Sequence, residues 1–543
     1  MNQLPDAVDV LIVGLGPVGA ALANLLGRYG VDALVIDKSV EIFQAPRAIA
    51  LDNEALRVLQ MCGLQDGDID TVAIPEVRMH CRHFGQFGRA VTTGAVDGHP
   101  KLVTFFQPQL EQVLRRRLQD MASIQVRLGC ELLALEQAAT HVMAAIRSGA
   151  VDRSVRAKYV VGADGANSLV RRLLGKDFKG KTYAEDWLVV DAKHVPVPID
   201  HVEFICDASR PIPHMVAPGG RQRWEFKLRR GETREQMEDP DMVRSLLRPW
   251  SRGDDIEIER VAVYRFHARL ADSFQCGRIF LVGDAAHITP PFVGQGLVAG
   301  LRDVANLGWK LAWVMQGRAG PALLDSYDRE RRPHVRAMIN LARMMGQLVM
   351  PSSHVKAFFV HGAMKTLAAV PRLRRLFENL EIKPANRFKQ GCFVRNRRGR
   401  RLWRGGQVPQ AWLRQGQHGM PTLSDDAMGS GFCIVGFGVE PSTGLPPDLM
   451  RRWREAGGRF VRIDPRGTSA STGASGSWED LGGALMPGEV PVGWVAVVRP
   501  DKTVMHDGPL ADAASILREC LGLFATQAGG GVQRPWPAAK ASA

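Results

Sequence analysis

The chain has 543 residues, 45% of them hydrophobic, and carries 70 basic against 56 acidic residues for a net charge of +14. That length supports two or three packed domains, and its eight scattered cysteines form no CxxC pair and no disulfide framework, as expected in a reducing cytoplasm. The positive balance suits capture of an anionic ligand, whereas a nucleic-acid partner is disfavoured because no zinc-finger, helix-turn-helix or RNP signature accompanies it.

The first segment, "DVLIVGLGPVGAALANLLGRYGVDALVIDK", predicts a strand, a tight glycine turn, a helix and a second strand. Gly14 allows the turn, Gly16 lets the backbone approach a pyrophosphate, and Gly19 lets the helix pack on the sheet. Asp37 closes the second strand, where it can accept hydrogen bonds from an adenosine ribose. The segment is apolar enough to mimic a membrane span, but its glycines, Pro17 and the acidic residues ahead of it argue against a signal peptide or anchor. A bound dinucleotide is therefore expected.

"APRAIALDNEALRVLQMCGL" then reads as a loop entering an amphipathic helix, followed by short alternating strands over 76–100. "FFQPQLEQVLRRRLQ" predicts a helix beginning near Pro108, with Arg115, Arg116 and Arg117 inside it. Strand-like segments "DWLVVDAKHV", "HVEFICDA", "RWEFKLRR" and "IEIERVAVYRFHA", with a helix near Pro240–Leu247, form a second sheet inserted into the first domain. A ligand pocket is expected between two such domains. A helix over Asp303–Met315 and further helices to about Phe377 follow. The basic stretch "VRNRRGRRLWR" precedes a small α/β unit, and residues 464–480 are rich in Gly, Ser and Thr.

Two further turns narrow the cofactor. "VVGADGANSLVRRLLG" places Asp164 after an apolar strand, and "RIFLVGDAAHITPPFVGQGL" repeats the device with Asp284. A short acid after a buried strand can accept a hydrogen bond from a ribityl hydroxyl, and the following helix end can meet phosphate or a carbonyl oxygen.

With these three motifs in view, the chain resembles the class A FAD-dependent aromatic-ring hydroxylases over residues 8 to 345. Within them it is similar to the 3-(3-hydroxyphenyl)propionate and 3-hydroxycinnamate hydroxylases, on "PRAIALDNEALRVLQ", "FQPQLE", "FKGKT", "RVAVYRFHARLADSF" and "GLRDVANLGWKLAWVMQG". The resemblance implies an α/β fold. A Rossmann-like FAD-binding domain of the 4-hydroxybenzoate hydroxylase type occupies 1–75, 101–177 and 276–345, interleaved with a mixed-sheet substrate domain at 76–100 and 178–275. A helical extension (346–385), a basic linker (386–405), a thioredoxin-like domain without a redox dithiol (406–530) and a flexible tail (531–543) complete it. Only Cys433 stands in the first strand of that last domain.

The resemblance also implies noncovalent FAD, held by Gly14, Gly16, Pro17, Gly19, Asp37, Lys38, Arg47, Gln107, Asp164 and Asp284, with Pro291, Gly294, Gly296 and Leu297 beside the isoalloxazine. Asp37 stands where the family carries a glutamate. NADH or NADPH would reduce the flavin, dioxygen would form a hydroperoxide on it, and an electron-rich ring would attack the distal oxygen ortho to its hydroxyl. In that scheme the Pro291 carbonyl faces substrate, and His287 is either structural or part of proton movement. The implied partners are an aromatic small molecule and dioxygen, with no nucleic acid and no membrane, in a cytoplasmic homodimer.

Substrate contacts are less defined by sequence. On "RWEFKLRR", alternation separates Trp224, Phe226 and Leu228 from Arg223, Glu225 and Lys227. Candidate lining residues are Phe204, His214, Trp224 and Phe226; Arg210, His267 and Arg269 are candidates to meet a carboxylate or phenol. Each has a plain packing or interdomain alternative, and neither Tyr183 nor Tyr264 stands out as the residue that activates a phenol. "HCRH" at 80–83 reads as structural rather than zinc-binding, and Ser168 lacks a nucleophile elbow. Hydroxylation of another phenol, a resorcinol or a hydroxyquinoline remains an alternative, as does a noncatalytic FAD-binding structural protein.

Overall fold

The computed structural model describes residues 4–44, 48–252, 256–379, 382–395, 402–416, 418–468 and 477–524. Arg47, residues 396–401 of the basic linker, residues 469–476 of the Gly/Ser/Thr-rich stretch and the tail lie outside the described residues.

Ala7–Val13 is the central strand of the first sheet. It pairs in parallel with Ala33–Asp37 and with Val151–Gly162, and Ile124–Leu128 lies beyond Ala33–Asp37. Ile279–Leu281, from far along the chain, joins in parallel at residues 160–162. These strands read as continuous apolar runs because helices cover them, and Val10, Leu11 and Ile12 are fully buried. The helix Pro17–Arg28 packs on this sheet, and so does the twenty-residue helix Gly296–Met315. The latter is apolar on most of its surface, which suits its burial from Val298 to Trp313.

The second sheet has eight strands in the spatial order His287–Ile288, Glu257–Ala271, Phe178–Lys193, Arg221–Lys227, Ile212–Ala217, Val202–Ile205, Glu76–Cys81 and Gly85–Val91. Only Val202–Ile205 against Glu76–Cys81 is parallel, so the sheet is mixed. Two sequence-distant segments thus build one wall. The helix Pro240–Ser251 covers its far face, where Trp224, Phe226, Val243, Leu247 and Trp250 form a core.

The C-terminal unit has a seven-stranded sheet. Phe432–Phe437, the helix Pro447–Glu455 and Gly458–Asp464 form a parallel βαβ unit; Trp494–Val498 and Val504–Pro509 then add antiparallel strands before the helix Ala513–Gly522. This unit is welded to the first domain. Trp309 and Trp313 pack edge-on against Phe432, and the Trp313 indole donates to the Ala456 carbonyl at 2.8 Å. Arg57 donates two bonds to Asp425, 2.6 and 2.7 Å long, across 368 residues of sequence.

Candidate active site

Between the first sheet and the mixed sheet lies a cavity of about 650 Å³. Its first end is made by the glycine turn. Gly14 has φ +105°, and a Cβ there would lie 2.5 Å from the Ala163 carbonyl oxygen, so only glycine fits. A Cβ on Gly19 would lie 2.0 Å from the Gly14 oxygen, which makes this residue part of the turn as well as of the helix packing. Gly16 is different: its missing Cβ faces open space, and Gly16, Pro17 and Val18 line the cavity. The N-terminus of the helix Pro17–Arg28 therefore meets an open cradle, and its free N–H groups and dipole suit a phosphate.

A second helix end faces the same space. Gly296 and Leu297 begin the helix Gly296–Met315 and line the cavity, with no atom within 4 Å of a Cβ built on Gly296. Gly294, at φ +62°, ends the short turn Pro291–Val293 that leads into it. Two helix N-termini lining one cavity fit a cofactor that carries phosphate and a polar ring. Asp284 and Gln107 also line it. Gln107 accepts from the Ala48 N–H at 3.1 Å and donates to Glu111 at 2.8 Å.

Other motif residues make hydrogen bonds within the protein. Asp37 accepts from the Leu15 N–H at 2.7 Å and the Ser39 N–H at 2.8 Å, bracing the glycine turn, while Lys38 is exposed. Asp164 accepts from the Leu169 and Val170 N–H groups at 2.7 and 3.1 Å and from the Ser168 hydroxyl at 2.5 Å. It is a helix-start brace; its neighbours Ala163 and Gly165, rather than Asp164 itself, line the cavity. Pro291 lines the cavity, yet its carbonyl accepts the Gly294 N–H at 2.8 Å, so one lone pair is already used inside the turn.

His287, read from sequence as structural or part of proton movement, stands away from the cavity. It is fully buried, does not line the cavity, and its Nε2 lies 2.6 Å from Asp303. Asp303 also accepts from Arg331 at 2.8 Å and the Gly283 N–H at 3.1 Å. Burial alone would raise that acid, but His287 and Arg331 hold it below the usual carboxylate range.

The substrate wall also departs from expectation. Phe204 and His267 line the cavity; His214, Trp224, Phe226, Arg210 and Arg269 do not. Trp224 and Phe226 point to the far face, where His214 stacks on Trp224 with ring centres 4.6 Å apart and holds Glu203 at 2.9 Å. Arg210 is committed to the Lys227 carbonyl at 3.1 Å and to Glu232, and Arg269 donates to Thr182 at 2.7 Å. The opposite face of the same strand supplies Glu225 to the cavity, beside Arg260 and Tyr264 from Glu257–Ala271. Met79, Phe204, Pro213, Met215 and Phe266 make the rest of that wall apolar.

One polar cluster escaped the sequence reading. Asp52 lines the cavity and accepts from Arg302 at 2.8 Å, Gln295 at 3.1 Å and Lys383 at 2.6 Å. Glu54 accepts from Arg302 at 2.7 Å and Lys383 at 3.2 Å. Burial would raise the Asp52 carboxyl, but Lys383 and then Arg302 hold it well below its ordinary value. The available signal was Asp52 ahead of a helix: it caps Asn53–Met61 through the Ala55 N–H. Its partner lysine, 331 residues away, gave none.

Comparison with known proteins agrees with this geometry. Residues 7–342 match the FAD binding domain family (FAD_binding_3), and residues 405–522 match the HcaD C-terminal domain. The chain is 36% identical over 511 residues to 3-(3-hydroxy-phenyl)propionate/3-hydroxycinnamic acid hydroxylase of Comamonas testosteroni, covering 85% of this chain and 87% of that one. It is 36% identical over 470 residues to the hydroxylase of the same name from Mycolicibacterium smegmatis, covering 86% and 83%. Among solved structures, the flavin-dependent monooxygenase PieE, in complex with FAD and substrate, superposes with a TM-score of 0.77 at 24% identity, covering 96% of this chain and all of that one. The chain belongs to the class A FAD-dependent aromatic-ring hydroxylases, with FAD as its cofactor.

Proposed function

We propose that this enzyme uses NADH or NADPH and dioxygen to hydroxylate a phenolic ring ortho to its hydroxyl, with 3-(3-hydroxyphenyl)propionate as substrate and the corresponding catechol as product. The observation that carries the reading is a single cavity lined by two helix N-termini and by an apolar, aromatic wall. Bound FAD supplies the oxygen-activating redox chemistry. The glycine cradle and the N-terminus of Gly296–Met315 would hold it, and Met79, Phe204, Met215, Phe266 and Phe292 would keep water from the reacting ring. The names of the relatives support the propionate side chain. Lys101, a lining cation with no ion pair among the described residues, offers a partner for its carboxylate.

The experiment measures oxygen uptake and product mass with 3-(3-hydroxyphenyl)propionate, resorcinol and a hydroxyquinoline. Coupled turnover of the propionate is expected. Coupled oxidation of either neutral ring with none of the propionate would overturn the substrate while keeping the reaction.

We read the C-terminal unit as thioredoxin-like without redox function. Its βαβ–ββα order supports the likeness, and Cys433 is buried, with its thiol pushed up to about 12 by that burial. The domain limits given from sequence, a homodimer and a cytoplasmic location belong to the same proposal. No helix among the described residues is long and apolar enough to cross a membrane.

A further inference from the structure

The mixed sheet offers the cavity a polar row from adjacent strands. Val189 stands opposite Glu225 on one side and Ala262 on the other, which sets Glu225 close to the ladder that carries Arg260 and Tyr264. Nearly every charge in this row is held by protein. Asp191 accepts two bonds from Arg223, at 2.6 and 2.9 Å, and one from Arg260 at 3.0 Å. Arg260 also donates to the Tyr264 hydroxyl at 3.2 Å, and Arg265 donates to Asp186 at 2.7 and 2.8 Å.

Glu225 is the exception. It lines the cavity, is 8% exposed, and its carboxyl has neither hydrogen bond nor ion pair among the described residues. Burial raises this carboxyl above its ordinary range against the pull of Arg223, and Asp191 adds to the rise. Its carboxyl faces the cavity, and a ligand that covered it without donating a hydrogen bond would leave it unpaired, which is costly. A ligand that donates a hydrogen bond would remove that cost. A carboxylate placed there would instead meet a second acid, with the neighbouring arginines already engaged.

We propose that Glu225 accepts the hydrogen bond of the substrate's ring hydroxyl and so determines specificity, selecting a donor-bearing ring and rejecting a carboxylate at this wall. This rests on the phenol-hydroxylase reading above, and it orients the substrate: hydroxyl toward Glu225, acid side chain away from it.

The test uses the FAD-loaded full chain and measures dissociation constants from the change in flavin absorbance. The ligand pairs are 3-(3-hydroxyphenyl)propionate with 3-phenylpropionate, and phenol with benzene. The wild type is expected to bind the member with the additional hydroxyl about tenfold or more tightly, the factor for a charge-assisted hydrogen bond. Glu225→Leu should bring the ratio for the propionate pair close to one, because no acceptor is left to distinguish the two rings. Glu225→Gln, which keeps the shape, should lower the ratio several-fold and covers the case in which the leucine variant fails to fold. A preference retained in full by both variants, or by the glutamine variant if it alone folds, overturns the proposal and leaves the phenol-hydroxylase reading standing. Failure of the wild type to bind any of the phenols overturns both.

Discussion

Glu330→Gln is expected to cost about 3–5 kcal/mol of stability, the loss seen when one partner of a buried ion pair is removed. Glu330, on the helix Ser326–Val349, is 1% exposed and binds four groups from three other segments. Its carboxylate accepts from Arg499 at 2.8 and 3.1 Å, from Lys310 at 2.7 Å, from Asn306 at 2.6 Å and from the Cys392 N–H at 2.7 Å. Burial pushes Lys310 down to about 8 even with Glu330 beside it. The substitution leaves this ammonium and the Arg499 guanidinium with one fewer acid in a dry site.

The same residue shapes the acid limb of stability. Arg499 and Lys310 overcome burial and hold the Glu330 carboxyl well below its ordinary 4.5. A depressed folded value means stability that is complete above about pH 5 and lost as pH falls through the unfolded value toward the folded one. Urea unfolding followed by tryptophan fluorescence at pH 7 and pH 4 should show a large deficit in the variant at pH 7 and a smaller one at pH 4. Equal midpoints for the two proteins at pH 7 would remove Glu330 as the fastening point of the C-terminal unit.

Asp284→Ala should weaken FAD binding by about tenfold to a hundredfold while leaving the fold largely intact. A hydrogen bond to an ionised acceptor contributes about 1.5–3 kcal/mol, which converts to that range of affinity. Asp284 lines the cavity on the turn Gly283–Ala285, just beyond the strand Ile279–Leu281. Gly283 keeps that turn close to the glycine-turn helix: its φ is +56°, and an added Cβ would press on Val18 at 3.1 Å. Calorimetric titration of the apoprotein with FAD measures the change. An unaltered dissociation constant would take Asp284 out of the cofactor site.

What the sequence disclosed was mostly local. The strand–turn–helix at Gly14–Gly19 is dictated within a few residues, since only glycine tolerates φ +105° with a carbonyl 2.5 Å from its Cβ position. The helix over Asp303–Met315, which in the structure begins earlier at Gly296, and the strands around Trp187, Trp224 and Val263 were also legible from periodicity. Alternation separated Trp224 from Glu225 correctly but could not say which face met the cavity, because both faces of this strand are buried. A helix over the far face, Pro240–Ser251, decided it. Arg210 and Arg269 stayed candidates for a carboxylate or phenol beside the interdomain alternative, because their partners, Glu232 and Thr182, are fixed only by folding. The Asp52–Arg302–Lys383 cluster and the Arg57–Asp425 pair join positions hundreds of residues apart, and nothing in a single sequence marks such pairs.

The central claim is that a noncovalently held FAD inserts one oxygen atom of dioxygen into a phenolic ring bound in this cavity. Turnover of 3-(3-hydroxyphenyl)propionate with NADH or NADPH under isotopically heavy dioxygen, with mass spectrometry of the product and of the flavin released on denaturation, measures it directly. The account predicts a catechol carrying one heavy oxygen atom, with the label absent when heavy water replaces heavy dioxygen, and one intact FAD released per chain. A protein that holds no FAD after reconstitution, or a product oxygen that comes from water, would contradict it.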